Sequence, residues 1–566
     1  MNLKYFCASV LALILAALVA FIPEPSRAQP AQWSYNFNGG TATATYPGNV
    51  VVSGSISGAT TGLPQLLNVA ALRANNAYTS GALEVQGYRT AGDGGGGVFA
   101  VNAADTTSAD NGGTILVDAG GRRWYRQFDG WVNVLWFGAY NNSSNAATTT
   151  AALLAAINAA NGRCVYIPLG IYQINSGIVQ TSSVCLKGDG NGAGPGTASI
   201  NTANASVLLI EFGSGTVIQV TSKYPSIFDS FLMLADSGYR PNTLTGIALI
   251  GAGGANVANY RFNNLAFSNI NGPINILRPG WGTIENSYFD TWGTAAGITC
   301  TTTTGVEGAC GQIAHNYFFG QQNYTNPAIY SEVGYTIIDA NEVLGGNNGI
   351  QFNIKNYPAG FVNIVNNTVE NFGAYGVQLG SGDCNSASMW KVVNNEFSVN
   401  ANATQTASVV TLQNLSCLTW LNDLDVSLNV SRNTSIAMSK HFWIQAGVNV
   451  RVTGNEVDEL GNVNSVTAYQ MTGATNNGGI GAPFLVADNT VLNTGGATIT
   501  RYSLPSTAVV TVRDQVGDVL ANLPAFAANG SEFFVTNGTA SAWHGAITSG
   551  GTGQPAIMVA SSWVAK

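Results

Sequence analysis

Through the middle of the chain an asparagine recurs just before a short apolar pair or triplet, at Asn264, Asn286, Asn316, Asn341, Asn367, Asn395, Asn433, Asn455 and Asn489. Most intervals are about 22–30 residues and two are longer, a period that marks a solenoid. Each asparagine follows a strand-like run, such as VNIVN before Asn367 and WKVVN before Asn395. No helical stretch falls within a unit, so the solenoid is built of strands. Three positions before the asparagine stand Ile313, Ile338, Ile364, Val392, Val430, Val452 and Val486. Two positions after it stand Tyr288, Phe318, Val343, Val369, Phe397, Val457 and Val491. Strand alternation sends both apolar columns inward. Trp390 also falls inward by alternation. The asparagine itself is expected at a tight turn, because it tolerates left-handed backbone and stacks into ladders. Ahead of the repeats, Thr149 to Ala160 reads as a helix with Leu153, Leu154 and Ile157 on one side.

Composition narrows the class. Charged residues are 9% of 566, against about 25% in ordinary soluble domains. A net charge of −8 excludes a nucleic-acid binder, which needs a basic face. A hydrophobic content of 46% excludes disorder. Lys4, the apolar run from Val10 to Ile22, and Ser26, Arg27 and Ala28 predict a signal peptide over 1–28. The apolar run is shorter than the ~20 residues that span a bilayer, so no stable membrane span is expected after cleavage. The six remaining cysteines suit an exported chain. Proximity pairs them as Cys164–Cys185, Cys300–Cys310 and Cys384–Cys417, although six cysteines allow about 15 pairings.

Val132 to Gly190 contains VNVLWFGAY, then CVYIPLGIYQI, then LKGDG. On Phe137, Gly138, Pro168, Gly170, Tyr172, Gly188, Asp189 and Gly190 this segment resembles the opening of the pectate-lyase superfamily, of the rhamnogalacturonase/epimerase-like kind. The resemblance implies an all-β fold: a right-handed single-stranded parallel β-helix with an N-terminal capping helix. NNSSNAATTT replaces the acidic stretch that often precedes that helix in the family. Gly87 to Gly130 is similar to the Gly-rich β module of phage tailspikes and their bacterial homologues. The segment from Leu523 resembles the small β module that ends such proteins. The expected organisation is therefore 1–28 signal peptide, 29–130 N-terminal segment and β module, 131–500 β-helix, and 501–566 C-terminal β module.

For function, the resemblance implies a polysaccharide lying in a groove on one outer face. The expectation is a secreted enzyme, a glycoside hydrolase or polysaccharide lyase; the alternative is a non-catalytic adhesin or a tailspike-like surface protein, a homotrimer in the last case. Fold alone does not choose among these. The catalytic signatures of polygalacturonases and of calcium-dependent pectate lyases are missing. No cofactor is expected, and no motif supports calcium. Asp93 and Asp189 read as turn residues.

Chemistry then rests on the few outward charges. The position after the repeating asparagine carries Tyr317, Glu342, Thr368, Glu396, Thr434 and Glu456; two residues on stand Phe319, Leu344, Glu370, Ser398 and Asp458. Strand geometry puts the Cα of Glu370 about 8 Å from those of Glu342 and Glu396. Two carboxyls roughly 6.5–9.5 Å apart suit an inverting glycosidase. Asp339 and Lys391, on the preceding strands, are expected to complete that patch. A second candidate pairs Glu285 with His315, each just before a repeating asparagine, beside Tyr317 as a lyase-type acid and base. Tyr317 and Phe319 are also candidates for stacking on sugar faces.

Overall fold

The computed structural model describes residues 62–193 and, apart from short interruptions between coils, 200–518; before residue 53 and after residue 531 it describes isolated strands. The expected signal peptide and the Cys384–Cys417 pair lie outside the described residues. The chain forms two compact units, Met1–Gln65 with Ala82–Glu84, and Leu66–Gly81 with Val85–Lys566. The second unit holds the solenoid and every candidate site residue.

Ahead of the solenoid, strands Gly97–Asn102, Ile115–Val117 and Arg123–Arg126 form an antiparallel sheet. Its glycines let the backbone close around two side chains. The Arg126 guanidinium donates to the carbonyls of Gly113, Gly96 and Gly95 and lies over the rings of Phe99 and Trp136. Burial lowers its pKa to about 9. Asp93 accepts the backbone N–H groups of Tyr88, Arg89, Thr90 and Gly95 at 2.7–3.1 Å, so it is a turn residue. Burial pushes its carboxyl up, but the four donors outweigh that and hold it below the usual carboxylate range. A lowered folded pKa contributes stability above the unfolded value that is lost as pH falls through the folded one. Asp93→Asn should therefore lower the thermal midpoint at neutral pH and narrow the gap to wild type in acid. Melting curves from pH 7 to pH 3 check this; a gap that does not change with pH rejects it.

The solenoid begins at a helix, Ala146–Ala160, that starts three residues before the predicted one. Leu153 and Ile157 are buried in the core, while Leu154 is exposed, contrary to the expectation from the sequence. Each coil then places one strand in each of three parallel sheets. One coil runs Thr336–Asp339 in the first sheet, Glu342–Leu344 in the second and Asn348–Ile354 in the third. Among the described residues the second and third sheets each hold 12 parallel strands, and one antiparallel arm strand, Asn191–Ala193, joins the second. This is a parallel β-helix. One inward column of the first sheet runs Ile284, Ile313, Ile338, Ile364, Val392, Val426, Val452 and Val486, every member essentially inaccessible to solvent. Trp390 is likewise enclosed and donates its indole N–H to the Gly360 carbonyl. The disulfides Cys164–Cys185 and Cys300–Cys310 are formed. After residue 531, Glu532–Val535, Gln554–Val559 and Ser562–Ala565 pair antiparallel.

The corner between the first and second sheets explains the asparagines. Seven form a buried ladder: Asn316, Asn341, Asn367, Asn395, Asn429, Asn455 and Asn489. Each side-chain amide donates to the Oδ1 of the next at 2.9–3.0 Å, and each backbone N–H donates to that same Oδ1. The left-handed residue is not the ladder asparagine but the one before it: His315, Ala340, Asn366, Asn394, Leu428, Gly454 and Asp488 all have φ between 52° and 65°.

This geometry corrects the repeat alignment at three asparagines. Asn264 and Asn286 occupy the left-handed position, so the first donor to the ladder is the Ser287 N–H, and Tyr288 stands in register with Tyr317 on the outside. In a later coil Asn429, not Asn433, is the ladder member, so Val430 rather than Thr434 follows it on the outer face. The slip at the left-handed position has a plain cause: asparagine suits that position for its backbone and the ladder position for its buried amide. Asn433 is instead a buried second-sheet residue whose amide donates to Glu459.

Candidate functional site

The outer face of the second sheet changes character along its length. At its start, Val207, Leu232, Ala266 and Tyr288 are buried although they point away from the coil interior. They form a separate apolar cluster with Ala193 and Ile200, from the antiparallel arm Asn191–Ala193 and Ile200–Ile210. Beyond this cluster the aromatic column emerges. Tyr288 and Tyr317 stack at 5.3 Å between ring centroids, and Tyr317 and Phe319 lie nearly coplanar in orientation at 6.5 Å.

The next two rungs carry carboxylates. Tyr317 is opposite Glu342, Phe319 opposite Leu344, and Leu344 opposite Glu370. Glu342 and Glu370 thus sit diagonally on adjacent rungs, with Cα atoms about 8 Å apart by ordinary strand geometry. Glu342 opens to solvent on one side, yet partial burial by its neighbours, and then the charge of Glu370, raise its pKa. The Tyr317 hydroxyl is also raised, by burial first and then by the charges of Glu342 and Glu370. One raised carboxyl, a second carboxyl on the next rung and a stacking surface ahead of them are what a two-carboxyl glycosidase requires. Tyr317→Ala should raise KM about tenfold, an aromatic stacking energy of roughly 1–1.5 kcal/mol, with a smaller change in kcat. Steady-state kinetics on a cleaved glycan tests this; an unchanged KM would move the sugar path elsewhere.

Other predicted members fall away from this pair. Glu396 is ion-paired with Arg432, which also approaches Asp458 at 3.9 Å. Asp339 lies on the first sheet and accepts the Asn366 amide at 2.8 Å, at the end of a surface chain that continues to Asn394. Lys391 is also on the first sheet, opposite Asn363 and Asp425, and lines a pocket there. Glu285 is opposite Ala314, not His315, and pairs with Arg261 at 3.6 Å. His315 is an exposed left-handed corner residue, so the expected Glu285–His315 stack does not form.

Two polar clusters were not legible in the sequence. On the third sheet the Tyr330 hydroxyl donates to Glu332 at 3.0 Å, and Lys355 pairs with Glu332 at 2.7 Å. Glu332 raises the Lys355 pKa, so this carboxylate is already neutralised by a cation. Inside the coil, Ser431 Oγ is 2.6 Å from His441 Nδ1, and His441 Nε2 hydrogen-bonds Glu459, which also accepts the Asn433 amide. This has the order of a nucleophile, base and acid, but Ser431, His441 and Glu459 have no solvent exposure. It is an interior polar network, satisfied from both ends. Its members lie 10 and 18 residues apart on different strands, a spacing that carries no sequence signal.

Among the described residues no cluster of three His, Cys, Asp or Glu side chains could hold a metal ion, and no helix is long and apolar enough to cross a membrane.

Residues 131–340 match the family described as rhamnogalacturonase A/epimerase, pectate lyase-like, and residues 65–129 match a phage tail protein small four-stranded β-sheet domain. Among solved structures the chain is similar to a glycan biofilm modifying enzyme of Pantoea stewartii with a tailspike-like parallel β-helix fold, at 13% identity over 64% of this chain and 52% of that one, TM-score 0.43. The chain thus spans about half the length of that protein. It is also similar to the A-module of a mannuronan C-5 epimerase of Azotobacter vinelandii, at 17% identity over 67% and 98%, TM-score 0.48. A third likeness is to a surface adhesin of Streptococcus pneumoniae, at 15% identity over 65% and 93%, TM-score 0.47.

Proposed function

We propose, for a chain whose residues 131–340 match a pectate lyase-like family and whose preceding residues match a phage tail β domain, that it is an exported protein that hydrolyses a polysaccharide on the outer face of the second sheet. The observation that carries this reading is the placement of Glu342 and Glu370 on adjacent rungs at the end of the exposed aromatic column. The glycan stacks on Tyr317 and Phe319 and extends across the two carboxyls. Glu342, whose pKa is raised by its partly buried position and then by Glu370, gives its proton to the leaving glycosidic oxygen as the bond to the anomeric carbon breaks. Glu370 takes a proton from the water that attacks that carbon from the other side, with inversion. Both carboxyls are then reset by proton exchange with solvent.

A panel of neutral and acidic polysaccharides incubated with the purified protein tests the reading. New reducing ends with inverted anomeric configuration are expected. Unsaturated uronides would replace hydrolysis by elimination. Binding without any product would favour the adhesin alternative, in which the aromatic column holds glycan without cleaving it. A solution mass measurement decides the homotrimer expected of a tailspike-like protein.

A further inference from the structure

A second site lies on the first sheet. Lys391, Asp425 and Arg451 are in register on three consecutive rungs, about 4.8 Å apart by sheet geometry. Beside them runs a second column, Met389, Asp423 and Asn449, each in left-handed backbone with φ of 55–60°. Aspartate and asparagine tolerate that conformation, whereas methionine rarely adopts it. Here it turns the side chains outward, so that the two columns wall a pocket of about 250 Å³ floored by Trp390 and Leu424.

The pocket's polar groups are left unsatisfied in an unusual way. Asp425 Oδ1 is buried and has no hydrogen-bond partner. Neither Lys391 nor Arg451 makes an ion pair among the described residues, although a carboxylate stands between them. Asp423 accepts from Asn449. The site therefore offers an acceptor that lacks a donor, beside two cations that make no ion pair among the described residues. A sulfate would pair with the cations but has no hydrogen to give Asp425. A ligand with both a carboxylate and a neighbouring hydroxyl satisfies all three.

An apolar stripe leads to the pocket along the same edge. Trp281 and Phe361 meet edge-on at 6.2 Å, Phe361 and Tyr335 at 5.6 Å, and Met389 is 55% exposed next in line. Trp281 and Tyr335 repeat the left-handed backbone that turns Met389 outward. The stripe crosses the rungs, along the solenoid axis, as an extended sugar chain would.

We infer that the first sheet carries a second carbohydrate-binding site, in which an acidic sugar residue enters the Lys391–Asp425–Arg451 pocket and the adjoining residues of its chain lie on Phe361, Tyr335 and Trp281. It rests on the polysaccharide reading above, but not on cleavage. Lys391 and Arg451 bind the sugar carboxylate, and a ring hydroxyl donates to Asp425. The site holds an anionic glycan while a different face carries the two catalytic carboxyls.

The test is calorimetry on the full chain carrying Glu342→Gln, so that loss of cleavage leaves the measurement intact. The probes are hexamers of galacturonate, mannuronate, guluronate and hyaluronan, with cellohexaose and maltohexaose as neutral controls. At least one acidic hexamer should bind more tightly than either neutral one, with affinity falling as salt rises. Lys391→Ala with Arg451→Ala should weaken that binding at least tenfold, and Asp425→Asn and Trp281→Ala each severalfold, with melting temperature retained. Should the double variant lose its fold, Lys391→Gln with Arg451→Gln reads the same loss. Equal affinity for neutral hexamers, no acidic hexamer bound, or unchanged affinity in a folded double variant overturns the site. Product from wild type with no acidic binding would overturn this inference alone, and acidic binding lost in the double variant without product from any glycan would overturn cleavage alone.

Discussion

Glu342→Gln should lower turnover by about 10²–10⁴-fold while leaving KM and the melting temperature close to wild type, because it removes a proton donor that acts only as the bond breaks. Glu370→Gln should also abolish most of the turnover, and it has a second, independent signature. Burial and then the Glu370 charge keep Glu342 protonated to higher pH than a free glutamate. Without that charge only burial remains, so Glu342 should titrate at lower pH in Glu370→Gln. The carboxyl carbon of Glu342, followed by NMR, measures this shift. Under the proposed mechanism the same ionisation should set the alkaline limb of the wild-type rate profile, since the acid works only while protonated. Full activity in both variants, or an unmoved Glu342 titration, would remove this pair from the mechanism. Glu396→Gln should do much less, because Arg432 already neutralises that carboxylate.

The largest loss of stability should come from a residue with no part in chemistry. Asn367→Ala deletes bonds to the Ile338 and Val365 carbonyls and to Asn395 Oδ1, and takes the acceptor from the backbone and side-chain amides of Asn341. Several of these partners are left buried and unpaired. At about 1–3 kcal/mol for each such group, the cost should reach roughly 3–5 kcal/mol. Its neighbour Asn366 makes the contrast. It is the left-handed residue on the surface, so Asn366→Gly keeps the backbone and gives up only exposed bonds to Asp339 and from Asn394. That change should cost well under 1 kcal/mol, within the range of ordinary surface substitutions. Chemical denaturation of the two variants, with hydrogen exchange to locate the weakened coils, separates them. Similar midpoints would mean that the ladder is not what holds the corner.

Much of the fold was legible because a solenoid repeats its constraints. The inward column through Ile313, Ile338, Ile364 and Val392, and the enclosure of Trp390, follow from strand alternation within one coil and from stacking between coils. The failures were failures of register. Asn264 and Asn286 matched the repeat by residue type but sit one position before the ladder, and Asn433 sits four positions beyond it. The first slip turned Tyr288 inward and hid the aromatic column that ends at Phe319. The second replaced Val430 and Arg432 by residues four positions on, and so hid the cation that neutralises Glu396. Glu342 and Glu370 lie on adjacent rungs as the alignment placed them, because their coils, at Asn341 and Asn367, were aligned correctly. The expected partners Asp339 and Lys391 were lost at the corner, since a sequence column does not tell on which sheet a preceding strand lies. Clusters such as His441 with Glu459, or Lys391 with Arg451, join separate strands through the third dimension and leave no local pattern.

The asparagine ladder ties each coil to both of its neighbours. Every amide from Asn316 to Asn455 donates to the Oδ1 of the asparagine on the coil that follows and to a first-sheet carbonyl on the coil before. One side chain therefore bridges three consecutive coils, and a coil is complete only when both of its neighbours have closed. Such a corner makes the stack cooperative along its axis. Loss of an end coil strips partners from one neighbour, whereas loss of a central coil strips them from two.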